Sequence, residues 1–126
     1  MKNLNIALVL VTIFLFSASA FAGGPPVYHI GLIGLKEGVT PEQIEECIIV
    51  SQALISKIPG VLEVSINKKA LDNRDIHIKD YDLGLCVKWE NIETGEVYGP
   101  HILHKTWYKL HKPLIESIKV IDFYGN

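Results

Sequence analysis

From Val27 onward the chain switches between two hydrophobic periods. VYHIGLIGL, residues 27–35, reads as a strand with His29, Gly31, Ile33 and Leu35 on one face and Tyr28, Ile30, Leu32 and Gly34 on the other. Neither face is strongly polar, so both are expected to be covered. KEGVTPEQIEECIIVSQALISKIPG then repeats apolar residues at helical spacing: Ile44, Cys47, Ile48, Leu54, Ile55 and Ile58. Thr40 and Gln43 form a T-x-x-Q capping box, Pro41 fits the first helical position, and Pro59-Gly60 stops the helix. VLEVSINKK, residues 61–69, alternates as a second strand, and the polar residues 71–79 read as a loop. YDLGLCVKW, residues 81–89, predicts a third strand with Leu83, Leu85, Val87 and Trp89 on its apolar face. ENIETGEVYG reads only as a weak helical turn, interrupted by Gly95. Pro100 is expected to open a further helix and Pro113 to mark its end, and IKVIDFY, residues 118–124, is the last strand.

The order strand, helix, strand, strand, helix, strand is the ferredoxin-like split β-α-β arrangement, an α+β class with an antiparallel four-stranded sheet. Two helices cover one sheet face. Gly84 and Cys86 are poor choices for a solvated face, and the first strand is apolar on both sides. A second copy of the chain is the simplest cover for the other face, so a homodimer is expected.

The N-terminal residues follow another logic. A charged start at Lys2, an apolar run from Ile6 to Phe16 broken only by Thr12, and an A-x-A site at Ala20 and Ala22 form the pattern of a secretory signal peptide. Residues 1–22 are therefore expected to be removed, leaving a mature domain of residues 23–126 beginning at Gly23 and exported to the periplasm or medium. The run is shorter than the roughly 20 residues of a bilayer-spanning helix, so no membrane association is expected after cleavage.

The mature domain carries 11 basic and 14 acidic side chains, with no basic stripe to suggest nucleic acid. Its two cysteines, Cys47 and Cys86, are too few for a disulfide scaffold and sit in different regular elements, so they are expected to be free. There is no Walker motif, G-x-G-x-x-G, nucleophile elbow or C-x-x-C, and no cofactor is expected.

Five ordered segments resemble the stress-responsive dimeric α/β barrel domain family: YHIGLIGLKEGVTPEQIEE, IPGVLEVSIN, YDLGLCVKWEN, VYGPHILHKTWYKLHKPL and IKVIDFYGN. The resemblance implies two chains packed sheet to sheet as a barrel, with the helices outside. The family's segment of Tyr, two residues, His, Pro, one residue, His falls on Tyr98, His101, Ile102 and His104, with Ile102 in place of the proline. In a plant cyclase of the family the tyrosine and the second histidine act in ring closure; these correspond to Tyr98 and His104, and a first-strand histidine corresponds to His29. A further pocket histidine of that cyclase falls on Leu83, a departure that points to a different substrate.

Three of the chain's five histidines, His101, His104 and His111, crowd into eleven residues. On a helix turning about 100° per residue they share a side. A zinc site needs a third ligand and usually a carboxylate; that helix has no acidic residue and no H-E-x-x-H, so no metal site is expected. An acid/base site pairs His104 with Tyr98: a neutral imidazole suits proton abstraction beside a carbonyl, and a phenol can hold the oxyanion. His29 would orient either group, in a pocket lined by Ile33, Leu83, Leu85 and Trp107. A structural reading instead makes Tyr98 and His104 a buried polar pair, has His101 bond backbone near the helix start, and leaves His111 facing solvent. Three functions follow: binding of a small apolar or aromatic molecule, catalysis as a cofactor-free cyclase, isomerase or lyase, or a structural dimer with a filled core. A cavity between sheet and helix on which Tyr98, His104 and His29 converge distinguishes the first two from the third.

Overall fold

The computed structural model describes residues 23–126, so the expected signal peptide lies outside the described residues. The elements are β1 (Val27–Leu35), α1 (Pro41–Ile55), β2 (Val61–Lys68), β3 (Leu83–Trp89), α2 (Ile92–Tyr98), α3 (Ile102–His111), a 3-10 turn (Lys112–Leu114) and β4 (Ile115–Tyr124). The four strands form one antiparallel sheet in the order β2-β3-β1-β4. This is the α+β, ferredoxin-like architecture read from the pattern of periods.

Register explains the core. Val27, Gly31 and Ile33 lie opposite Trp89, Leu85 and Leu83 on β3, and all six are buried on the face that carries the helices. From α1, Cys47, Ser51 and Ile55 reach this layer and are almost fully buried. Residues of the other parity, including Ile30, Cys86 and Ile121, meet across the strands on the opposite face. That face is uncovered in the single chain: Ile121 and Phe123 are 63% and 50% exposed. Cys47 and Cys86 are both free, one under α1 and the other on the open face.

Several boundaries differ from expectation, each for a local reason. The expected weak turn after β3 is a seven-residue helix, capped by Asn91, whose side-chain oxygen accepts the Thr94 N–H at 3.0 Å. Gly95 does not interrupt it. A Cβ there would stand 2.4 Å from the Trp89 ring, so glycine is what lets α2 lie flat on that indole. Pro100 does not open α3; His101 does, its Nδ1 accepting the Leu103 N–H at 3.1 Å. Pro113 sits in the 3-10 turn that leads directly into β4, so β4 starts at Ile115 rather than Ile118. β3 starts at Leu83 rather than Tyr81, because Asp82 instead seals the end of β1, donating its N–H to Ile33 O and accepting the Leu35 N–H.

Candidate functional site

A cavity of about 390 Å³ lies between the helix-bearing face of the sheet and the α2–α3 corner. His29, Gly31 and Ile33 of β1 and Leu85 and Trp89 of β3 form its floor, and Tyr98, His104 and Trp107 come down from the helices. The three polar candidates therefore share one largely apolar chamber.

Strand register places His29 opposite Asp122 of β4, and their Nδ1 and Oδ1 atoms lie 2.6 Å apart. A carboxylate acceptor is met by Nδ1–H as donor, and in the neutral imidazole that tautomer leaves the lone pair on Nε2. The imidazole stacks on Trp89 at 4.6 Å between ring centroids, which fixes its plane.

Tyr98 ends α2 and is 3% exposed. Its ring lies 5.3 Å from His29 and 4.7 Å from His104, tilted to both. Burial pushes the phenol pKa well up, so the hydroxyl stays protonated and can act as a donor. His104 sits in the first turn of α3, where burial lowers its pKa; the neighbouring His29 adds to the lowering and the Gly99 backbone opposes it. The site thus presents neutral imidazole and neutral phenol at neutral pH. Tyr98 and His104 meet ring to ring, and no hydrogen bond joins their side chains among the described residues.

Trp107 closes one wall. Its Nε1–H donates to Ser51 Oγ at 2.7 Å, anchoring α3 to α1 through the fully buried Ser51. Trp89 differs: its indole nitrogen is buried with no acceptor among the described residues.

Of the expected lining, Ile33, Leu85 and Trp107 are at the cavity and Leu83 is not. Leu83 opens β3, two residues before Leu85, and is 0% exposed inside the hydrophobic core. His101 is a helix cap, as its position suggested. His111 is a correction: rather than facing solvent it is 4% exposed, with Nδ1 2.8 Å from Trp107 O. It lies seven residues beyond His104, close to two full helical turns, so it faces inward as His104 does. Burial lowers its pKa, against opposing contributions from the Trp107 carbonyl and Glu46.

Asp122 and Gly31 join the site without having been candidates in the sequence. Asp122 had a readable signal, since within the expected strand 118–124 it alternates with Ile118, Val120 and Tyr124 and is the one charge among those four. Gly31 had none beyond being small.

Among solved structures, the chain is similar to a protein from Arabidopsis thaliana at 25% identity, covering 79% of this chain and 95% of that one with a TM-score of 0.70. It is similar to a dimeric ferredoxin-like protein of unknown function from Thermobifida fusca at 20% identity, covering 81% and 92% with a TM-score of 0.69. A hydroxynitrile lyase from Passiflora edulis is 17% identical, covering 81% and 94% with a TM-score of 0.68. No curated protein matches the chain in sequence. The model of the stress responsive A/B barrel domain matches residues 27–124, from the first residue of β1 to the last of β4, and the chain belongs to that family.

Proposed function

We propose that the chain is an exported homodimer that binds a small apolar or aromatic molecule bearing a carbonyl oxygen. The observation that carries this reading is the convergence of His29, Tyr98 and His104 on one apolar cavity of about 390 Å³, within the usual range of ligand pockets. Apolar walls favour an apolar body, and a protonated phenol beside neutral imidazole favours an oxygen acceptor over a cation. The dimeric description of the similar Thermobifida fusca protein supports pairing through the open sheet face. Export rests on residues 1–22, and an intact mass starting at Gly23 for protein from the periplasm or medium is expected. A mass retaining Met1 to Ala22 overturns it.

A second reading, cofactor-free acid–base catalysis, is favoured by the His29–Asp122 pair. In a step of that kind His29 Nε2 takes a proton from a carbon beside the carbonyl, forming an imidazolium and an enolate. Asp122 holds the Nδ1–H and stabilises the imidazolium. Tyr98 donates to the enolate oxygen. Return of the proton to another carbon gives isomerisation; attack of the enolate carbon on a second carbonyl of the same molecule, whose alkoxide takes the proton back from His29, gives ring closure. The similarity to a hydroxynitrile lyase is compatible with acid–base work in this fold, although a fold does not carry its function with it.

The test is a calorimetric and thermal-shift panel of aromatic and aliphatic ketones and aldehydes, followed by α-proton exchange in D2O monitored by NMR. Binding without exchange supports the first reading, and exchange lost in His29→Gln supports the second. A panel in which nothing binds at millimolar concentration removes both and leaves a structural dimer.

A further inference from the structure

A second cavity, of about 310 Å³, adjoins the first and shares Tyr108 and Ile118 with it. Its character is different. Lys36, Lys112 and Glu116 line it, all three exposed. Lys36 follows β1 and Lys112 follows α3, and the Lys36 N–H bonds Leu114 O at 2.8 Å, which ties the two lysine-bearing segments together. None of the three charges belongs to an ion pair among the described residues. The inner cavity has no Lys, Arg, Asp or Glu in its lining. Tyr108 and Ile118 therefore stand between a chamber lined by no Lys, Arg, Asp or Glu and an open one with net positive charge.

We propose that the ligand of the inner cavity is an amphipathic carboxylic acid, its apolar body inside and its carboxylate in the outer chamber between Lys36 and Lys112. This rests on the inner cavity being a ligand site. Placing the carboxylate inside would strip its water in a chamber whose lining carries no Lys or Arg to meet it, which is costly. In the outer chamber it keeps solvent and gains two ammonium groups, whose flexible stems can reach it. Glu116 opposes it, so its charge sets a second, opposite test.

Two probes of matched shape separate the contributions: 5-phenylpentanoate and the neutral 5-phenylpentanamide, titrated calorimetrically at low salt and in 0.5 M NaCl. The acid is expected to bind about three- to ten-fold tighter than the amide at low salt, the scale of exposed ion pairs, and to lose that advantage in salt. Lys36→Gln with Lys112→Gln abolishes the advantage. Glu116→Gln increases it about two- to three-fold, and none of these exposed substitutions changes amide binding. Equal binding of acid and amide to the wild type, or an advantage that survives the lysine substitutions or salt, overturns the inference while leaving the inner site intact. Failure of both probes to bind overturns the inference, while the ketone and aldehyde panel separately decides the reading it rests on.

Discussion

His29 and Asp122 face each other in register across β1 and β4, with Nδ1 and Oδ1 2.6 Å apart. The sheet itself sets this pair, so its geometry does not depend on a loop. Behind it His29 stacks on Trp89, and in front of it Tyr98 and His104 lean in from α2 and α3. One carboxylate thus backs a cluster of imidazole, indole and phenol rings.

Asp122→Asn keeps an acceptor and removes the charge. If His29 is a base, α-proton exchange of a bound ketone is expected to fall about 10²-fold, at the lower end of general acid–base contributions. Ligand affinity is expected to stay within about twofold, because the residue acts through His29. Stability should change by at most about 1 kcal/mol, as for other partly exposed pairs. Parallel losses in affinity and exchange would assign Asp122 a structural role instead.

Gly31 leaves the cavity its depth. A Cβ there would meet Leu85 at 3.6 Å, an ordinary contact, so Gly31→Ala should fold and bind. Gly31→Leu places a branched side chain in the void. Ligand-induced stabilisation is expected to vanish while the unliganded melting temperature holds. A well-packed site would respond the other way, losing about 1–3 kcal/mol to overpacking, and that result would argue for a filled core.

The fold was legible because its signals are local and redundant: two hydrophobic periods, the Thr40–Gln43 capping box, and Pro59-Gly60 as a stop. The site was legible only in part. Tyr98, His104 and His29 came from spacing within a resemblance, which says nothing of direction or partner. The inward turn of His111 follows from its two-turn separation from His104, although it was expected to face solvent. Gly95 looked like a helix breaker because propensity sees the backbone alone, whereas the Trp89 ring that requires it is a tertiary contact. Asp122 needed the pairing register of β1 with β4, and a single strand does not carry that.

Acid should weaken the fold through two histidines. Burial holds the pKa values of both His104 and His111 below the ordinary value of about 6.5. Below that value the unfolded chain binds more protons than the folded one, so stability falls as pH drops from about 6.5 toward the folded-state values. Above it both states are neutral at these positions and the contribution is flat. Thermal melts between pH 5 and 8 should show this slope, and His104→Gln with His111→Gln should flatten it. An unchanged slope in the double variant would move the effect to other groups.

The open sheet face should be a dimer interface. Ile121 and Phe123 are 63% and 50% exposed in the single chain, and Cys86 lies on the same face of the central strand β3. Covering such apolar surface is favourable by roughly 25 cal/mol per Å². Cys86→Arg would trap an unpaired charge there and should shift the protein to monomer. Light scattering reads this directly, and a monomeric wild type at micromolar concentration would sink the idea.

His104 and His111 share a helix face but should fail differently when removed. His104 lines the cavity, and its substitution by alanine should weaken ligand binding by at least about tenfold, the loss of one hydrogen bond to a polar ligand atom. His111 lies outside the cavity lining, 4% exposed and bonded to the Trp107 carbonyl. His111→Ala deletes buried volume and that bond, so it should lower stability by about 1–3 kcal/mol. Its effect on ligand affinity should be small once the protein is folded, since Trp107 remains tied to Ser51 from α1. Urea unfolding and calorimetric titration of the two variants at pH 7.5, where both histidines are neutral, measure the two quantities separately. Loss of stability without loss of affinity in His104→Ala would make Tyr98 and His104 a packing pair and leave the cavity without its polar recognition.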